Sequence, residues 1–248
     1  MMIEQISIDL TNRCSKECSF CYNNSSASQR HLWEKDELLS FIDDCINHGT
    51  KAVSFGGGEP MEYPYIFDVI ADVSKKAFVS MTTNGQLLEV EDNFEKLKSS
   101  GLDKIHISIH NPENPIETAR ILAQIKKLQS STNIISGINL LVRNNNIEDC
   151  KKIFQIFRGY LSPKDIILVP MRFNYTPEAK QLLNVAQGNP FQSPSCLLRC
   201  SRPSNFCSVS WDKKVNWCSF ADGKQKLHTL TYSGLMDALS KVQFKSCV

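Results

Sequence analysis

With 248 residues, 42% of them hydrophobic, the chain is long enough for one large domain or a domain with an appendage, and apolar enough to bury a sizeable core. Its 28 Lys and Arg nearly balance 26 Asp and Glu, and a formal charge of +2 excludes the basic signature of a nucleic-acid or polybasic membrane partner. No run reaches the ~18 apolar residues of a membrane span and the N-terminus lacks a signal-peptide layout, so the expectation is a cytoplasmic protein whose ten cysteines are thiols or metal ligands rather than disulfides.

The first stretch, IEQISIDL (3–10), alternates Ile6, Ile8 and Leu10 with Ser7 and Asp9, as a half-buried strand does. Strand-like runs recur at AVSF (52–55), FVSMTT (78–83), KIHISI (104–109), NIISGINLLV (133–142) and DIILVP (165–170). Between them run helical stripes: Leu38/Phe41/Ile42/Cys45, Ile66/Val69/Ile70/Val73, Ile121/Leu122/Ile125/Leu128 and Cys150/Ile153/Phe154/Phe157, with a weaker helix at 90–100. Cys45 and Cys150 continue their stripes and read as buried thiols.

Strand alternating with helix predicts parallel βαβ units. Parity adds a second expectation. Ile105, Ile107 and Ile109 share one face of their strand and His106, Ser108 and His110 the other; Ser7, Asp9, Ser54, Ser80, Thr82 and Asn139 fall on the same polar side. A packed closed barrel favours branched apolar residues inside, so these residues predict a wide or partly open barrel around a polar interior. After residue 175 the pattern breaks into TPEAKQLLNVAQGNPFQSPS, the expected domain boundary. FCSVSWDKKVNWCSF then reads as a hairpin around Asp212–Lys214, and Leu235/Ala238/Leu239/Val242 as a final helix.

Cys14, Cys18 and Cys21, at C-x3-C-x2-C, stand where the first strand has ended, on the side where α/β folds gather their active sites. Three soft thiolates suit iron–sulfur or zinc, but a closed structural zinc site wants four ligands and no fourth Cys or His stands at the usual spacing nearby. With Phe20 before the last cysteine, and GGGEP at 56–60 one βα unit later, the pattern resembles the radical S-adenosylmethionine superfamily. That resemblance implies a [4Fe–4S] cluster on Cys14, Cys18 and Cys21. Its open iron would chelate S-adenosylmethionine, reductively cleaved to a 5′-deoxyadenosyl radical that abstracts hydrogen. It further implies cofactor contacts from Phe20, Gly57, Gly58, Glu59 and Pro60, from Asn84 in TTNG, and from Ser108, Asn139 and Arg172 on later strands. The expected fold is α/β, a partial (β/α)6 TIM-like barrel over residues 1–175.

Five of the ten cysteines, at 196, 200, 207, 218 and 247, fall in the last stretch. This clustering resembles the superfamily's auxiliary-cluster extensions, the short twitch form and the longer SPASM form, whose hallmark C-x9–15-G-x4-C is matched in outer spacing by Cys200 and Cys218. Lys213 replaces the hallmark glycine, and a type I turn over Asp212 and Lys213 would need none. The resemblance implies a small cysteine-rich domain over 176–248 with a second [4Fe–4S] cluster on Cys196, Cys200, Cys207 and Cys218, Cys247 in reserve; structural zinc on the same thiols is the alternative. Auxiliary-cluster relatives point first to crosslinking or oxidation of a ribosomally made peptide, then to a small sugar or nucleoside, then to glycyl-radical enzyme activation; a zinc-stabilised binding protein is the non-enzymatic alternative. The expected partners are the substrate, a reductant such as flavodoxin or ferredoxin and, since the first strand starts at about residue 3, a separate leader-peptide-binding protein.

Overall fold

The computed structural model describes residues 2–30, 33–172, 174–193 and 201–245. Its elements in chain order are β1 (Gln5–Asp9), α1 (Lys35–Asn47), β2 (Ala52–Gly56), α2 (Ile66–Val73), β3 (Phe78–Thr83), α3 (Glu91–Ser99), β4 (Lys104–Ile109), α4 (Pro115–Ser131), β5 (Ile135–Val142), α5 (Ile147–Phe157), β6 (Ile166–Pro170), α6 (Ala179–Ala186), β7 (Phe206–Val209), β8 (Lys214–Asn216), β9 (Gln225–Lys226) and α7 (Tyr232–Ser240). The strand runs of the sequence coincide with β1–β6 apart from a residue or two at the ends, and the helical stripes and the weaker helix fall on α1–α5, α4 starting six residues before its stripe. Packing divides the chain into two compact units, with Met1–Thr83, Val90–Asp103 and Arg202–Ser246 in the first and Asn84–Glu89 and Lys104–Ser201 in the second.

In the first unit β1 pairs in parallel with β2, and β2 with β3. Alternation decides which side is covered. Ile6, Ile8, Val53, Phe55, Val79 and Met81 are at most 2% exposed, each burial contributing about 2 kcal/mol, and the buried stripes of α1 and α2 supply matching apolar faces. The opposite face carries a polar rung: Asn216, Ser208, Ser7, Ser54 and Ser80 are register neighbours from β8 across to β3.

That rung exists because β7 joins β1 in parallel, Ile6 opposite Cys207 and Ser7 opposite Ser208. The hairpin read from the sequence is present as β7 and β8, and β9 extends it antiparallel. Its turn differs from the expectation. Lys213 N–H donates to Ser210 O at 2.9 Å, so Trp211 and Asp212 are the central residues, and Lys213 takes the left-handed conformation at φ 59°. The lysine adopts the backbone shape that a glycine would have supplied.

The second unit holds β4, β5 and β6 in parallel order with α4, α5 and α6. α4 starts on Asn114, whose side-chain oxygen accepts from the N–H groups of Ile116 and Glu117, with Pro115 at the first helical position. α6 lies inside the Pro- and Gln-rich stretch expected as the domain boundary. Leu182, Val185 and Ala186 form its buried face, a stripe too short for periodicity to reveal.

Candidate active site

In the first unit, the loop after β1 carries Cys14, Cys18 and Cys21, all of intermediate burial. It is folded through its own hydrogen bonds: Cys14 N–H donates to Ser26 O at 3.1 Å, Ser26 N–H to Asn12 O at 3.2 Å and Cys21 N–H to Cys18 O at 3.0 Å. Glu17 Oε1 accepts from Ala27 N–H at 2.9 Å, closing the loop at its far end.

The glycine turn after β2 is joined to this loop through main chain. Gly58 N–H donates to Thr11 O at 2.7 Å and Glu59 N–H to Arg13 O at 2.8 Å. Glycine is required at both steps: Gly57 has φ 114° and a Cβ there would stand 2.6 Å from Thr11 O, while one on Gly58 would collide with Arg13 O. Glu59 is 1% exposed, and its Oε1 accepts from Thr83 Oγ1 at 2.7 Å and Met61 N–H at 3.1 Å. Pro60 follows at the start of a short 3-10 turn, Pro60–Glu62.

Beside the loop, Asp9 ends β1 at 4% exposure. Tyr22 Oη approaches its Oδ1 at 3.5 Å, a weak bond, and the Tyr22 ring packs on Phe220 with centroids 4.9 Å apart. Burial raises the Asp9 carboxyl to about 6, against the pull of Lys224 and the Tyr22 hydroxyl. Burial likewise raises the Cys14 thiol, opposed by backbone hydrogen bonding. Asp9, Tyr22 and Phe220 went unnoticed as a group in the sequence, because only folding brings position 220 to position 22.

Of the C-terminal thiols expected as ligands, Cys207 and Cys218 lie among the described residues. Cys207 is fully buried on the apolar face opposite Ile6, within electrostatic reach of Cys45, and burial drives its thiol far up. Cys218 is of intermediate burial, and it and Cys21 both act electrostatically on Tyr22. Cys207 and Cys218 therefore stand in different surroundings. Cys196, Cys200 and Cys247 lie outside the described residues.

In the second unit, Asn84 is 5% exposed and its Oδ1 accepts from Gln86 N–H at 2.8 Å. α4 holds that turn from behind, Gln124 Nε2 donating to Gly85 O at 2.7 Å and Arg120 Nη2 to Asn84 O at 3.2 Å. Ser108 and Asn139 are register partners on β4 and β5, and Asn139 Oδ1 is buried with no hydrogen-bond partner among the described residues. Arg172 is 7% exposed, its Nη1 donating to Pro170 O at 2.5 Å. His110 N–H donates to Glu117 Oε1 at 2.7 Å, so main chain rather than imidazole makes that bond.

Among the described residues no three His, Cys, Asp or Glu side chains converge to hold one metal ion. A cluster that takes each thiolate on a different iron does not need them to, and three part-buried thiols on a closed loop are a donor set that fits it. Among the described residues, too, no helix is long and apolar enough to cross a membrane.

Comparison with known proteins supplies a lineage for this arrangement. The Radical SAM superfamily model matches residues 8–159. A probable GTP 3′,8-cyclase of Saccharolobus solfataricus is 34% identical over 179 residues, covering 68% of this chain and 57% of the relative. That of Methanocaldococcus jannaschii is 28% identical over 182 residues, covering 68% and 60%. The chain thus spans a little over half the length of these relatives. In fold it is similar to Streptococcus suis SuiB bound to the precursor peptide SuiA, with TM-score 0.72 at 13% identity over 88% of this chain and 60% of that one. It is also similar to anSMEcpe with bound AdoMet, with TM-score 0.67 at 16% identity over 94% and 80%.

Proposed function

Because this chain belongs to the radical SAM superfamily, and so is an enzyme of a [4Fe–4S] cluster and S-adenosylmethionine, we propose that it abstracts hydrogen from a ribosomally made peptide to crosslink or oxidise it. When bound, the cluster and S-adenosylmethionine supply a 5′-deoxyadenosyl radical for that step. The observation that carries the chemistry is the main-chain joining of the three-cysteine loop to the glycine turn, Gly58 to Thr11 and Glu59 to Arg13.

In this reading Cys14, Cys18 and Cys21 hold the cluster, with Phe20 beside it. Gly57, Gly58, Glu59 and Pro60 shape the methionine end of the cofactor site: the glycines let main chain approach, and Glu59, capping Met61 and bonded to Thr83, keeps the turn in shape. Asn84, Ser108, Asn139 and Arg172 complete it, a role supported by Asn139 Oδ1, which has no partner among the described residues and which a bound ligand would satisfy. The barrel then comprises residues 1–175 as an open (β/α)6 array, and 176–248 a twitch-like module with a second cluster. Of its proposed ligands, Cys218 faces the Tyr22 side; Cys207, sealed beside Cys45, serves packing, which leaves Cys196, Cys200 and Cys247 to complete the set. A reductant such as flavodoxin or ferredoxin supplies the electron.

Peptide stands first because the similar fold of SuiB binds a precursor peptide, and because the segment after β8 packs Phe220 on Tyr22 of the cysteine loop. The cyclase relatives favour a second reading, a purine nucleotide as substrate. The two separate in one anaerobic assay: reduced enzyme with S-adenosylmethionine and either short peptides encoded near its gene or GTP, followed by mass spectrometry. Loss of two hydrogens from a peptide is the expected result; consumption of GTP with no peptide change would replace the first reading by the second.

A further inference from the structure

We propose that Glu62 is a positioning residue for Cys14, its carboxylate gripping the residues on both sides of that cysteine and fixing the thiol's direction before metal binds. The inference rests on the reading of Cys14, Cys18 and Cys21 as cluster ligands. Oε1 accepts from Ser15 N–H at 2.7 Å and from Ser15 Oγ at 2.8 Å, and Oε2 accepts from Arg13 Nε at 3.1 Å. Three donors from the two neighbours of Cys14 thus converge on one carboxylate whose side chain is only 10% exposed, where hydrogen bonds to a charge are stronger than in water.

Glu62 is itself held from the opposite side. It ends the turn that Pro60 begins, its N–H donates to Glu59 O at 2.9 Å, and Glu59 is fixed by Thr83. Support therefore runs from β3 through Glu59 and Glu62 to Cys14. Arg13 and Ser15 are both exposed; besides the clamp, Arg13 N–H donates to Thr11 Oγ1 at 2.9 Å and Cys14 N–H to Ser26 O at 3.1 Å, bonds that hold main chain and leave the side chains of Arg13 and Ser15 to Glu62. Nothing in the cysteine or glycine motifs marks position 62; only its location two residues past Pro60, facing the loop, gives it this role.

The test uses the full chain without metal, with Glu62→Ala and Glu62→Gln beside the wild type, and reads the alkylation rate of each cysteine by peptide mapping. Loss of charge-assisted bonds predicts that Cys14 reacts about tenfold faster in Glu62→Ala. Glu62→Gln, which keeps an acceptor for Ser15 and loses the ion pair with Arg13, is expected to fall between. Cys45 and Cys150, both fully buried, report general unfolding and should not change. After anaerobic reconstitution, Glu62→Gln should hold its cluster at a more positive midpoint potential, since a negative charge beside it is gone. Equal acceleration at Cys14 and Cys45, or no acceleration with an unchanged potential, would overturn the inference. A wild type that takes up no iron while Cys14 still loosens in Glu62→Ala would instead overturn the ligand reading and leave the clamp standing.

Discussion

His106 shows at the scale of one residue how a polar face is accommodated. Its Nε2 is buried without a hydrogen-bond partner among the described residues, and burial together with the nearby Lys104 charge lowers the imidazole to about 4, against the pull of Asp165. Gly137 stands opposite on β5, where any Cβ would collide with the imidazole, so the ring occupies space that only glycine leaves. The sign of the pH effect follows. The unfolded chain takes up a proton near the ordinary 6.5 and the folded one only near 4, so His106 imposes no penalty above about 6.5, and stability falls as pH drops toward 4. Replacing His106 with Gln should shrink the stability difference between pH 7 and pH 4.5 by up to about 3 kcal/mol, read from urea unfolding at both values; an unchanged difference would contradict the assignment. The strand's parity placed His106 on the polar side, but its surroundings needed Gly137 and Asp165, contributed by distant segments.

At the scale of elements, periodicity was readable wherever a strand or helix buries one continuous face: β1–β6 and α1–α5 follow their alternations and stripes closely. α6 escaped because two turns among polar residues carry too few apolar positions. The β7–β8 hairpin was legible as a hairpin, whereas its turn was not, since a left-handed lysine runs against the residue's own preference. Lys213 is held there by an ion pair with Glu37 and by its amine lying 5.4 Å from the Trp33 ring centroid. Lys213→Ala loses both and keeps the backbone cost; Lys213→Gly loses both and removes it. The glycine variant should therefore be the more stable of the two by about 1 kcal/mol, measured as a difference in urea midpoint. Equal midpoints would mean that the left-handed residue carries no strain.

At the scale of the molecule, the cysteine loop and glycine turn were legible because their residue types are dictated by chemistry. Thiols ligate iron, and glycines are forced where main chain meets main chain. What was not legible is long-range: β7 joins β1 across some two hundred residues, brings Phe220 to Tyr22, and sends Cys207 to the apolar face while leaving Cys218 near the loop. Periodicity within the hairpin cannot reveal which strand edge will receive it. The same pairing puts the polar rung of Ser7, Ser54, Ser80, Ser208 and Asn216 on one face, and so gives the unit a polar floor that no single segment announces.

Radical chemistry on the three-cysteine loop is tested by anaerobic iron and sulfide content per chain in the wild type and in a variant carrying Cys14→Ala, Cys18→Ala and Cys21→Ala, with 5′-deoxyadenosine formation followed under reduction. About eight irons are expected in the wild type and about four in the variant, each full cluster counting four, with cofactor cleavage only in the wild type. Four irons in the wild type and none in the variant would remove the second cluster. Cleavage that persists without the three cysteines, or a wild type that neither binds iron nor cleaves S-adenosylmethionine, would contradict the central claim.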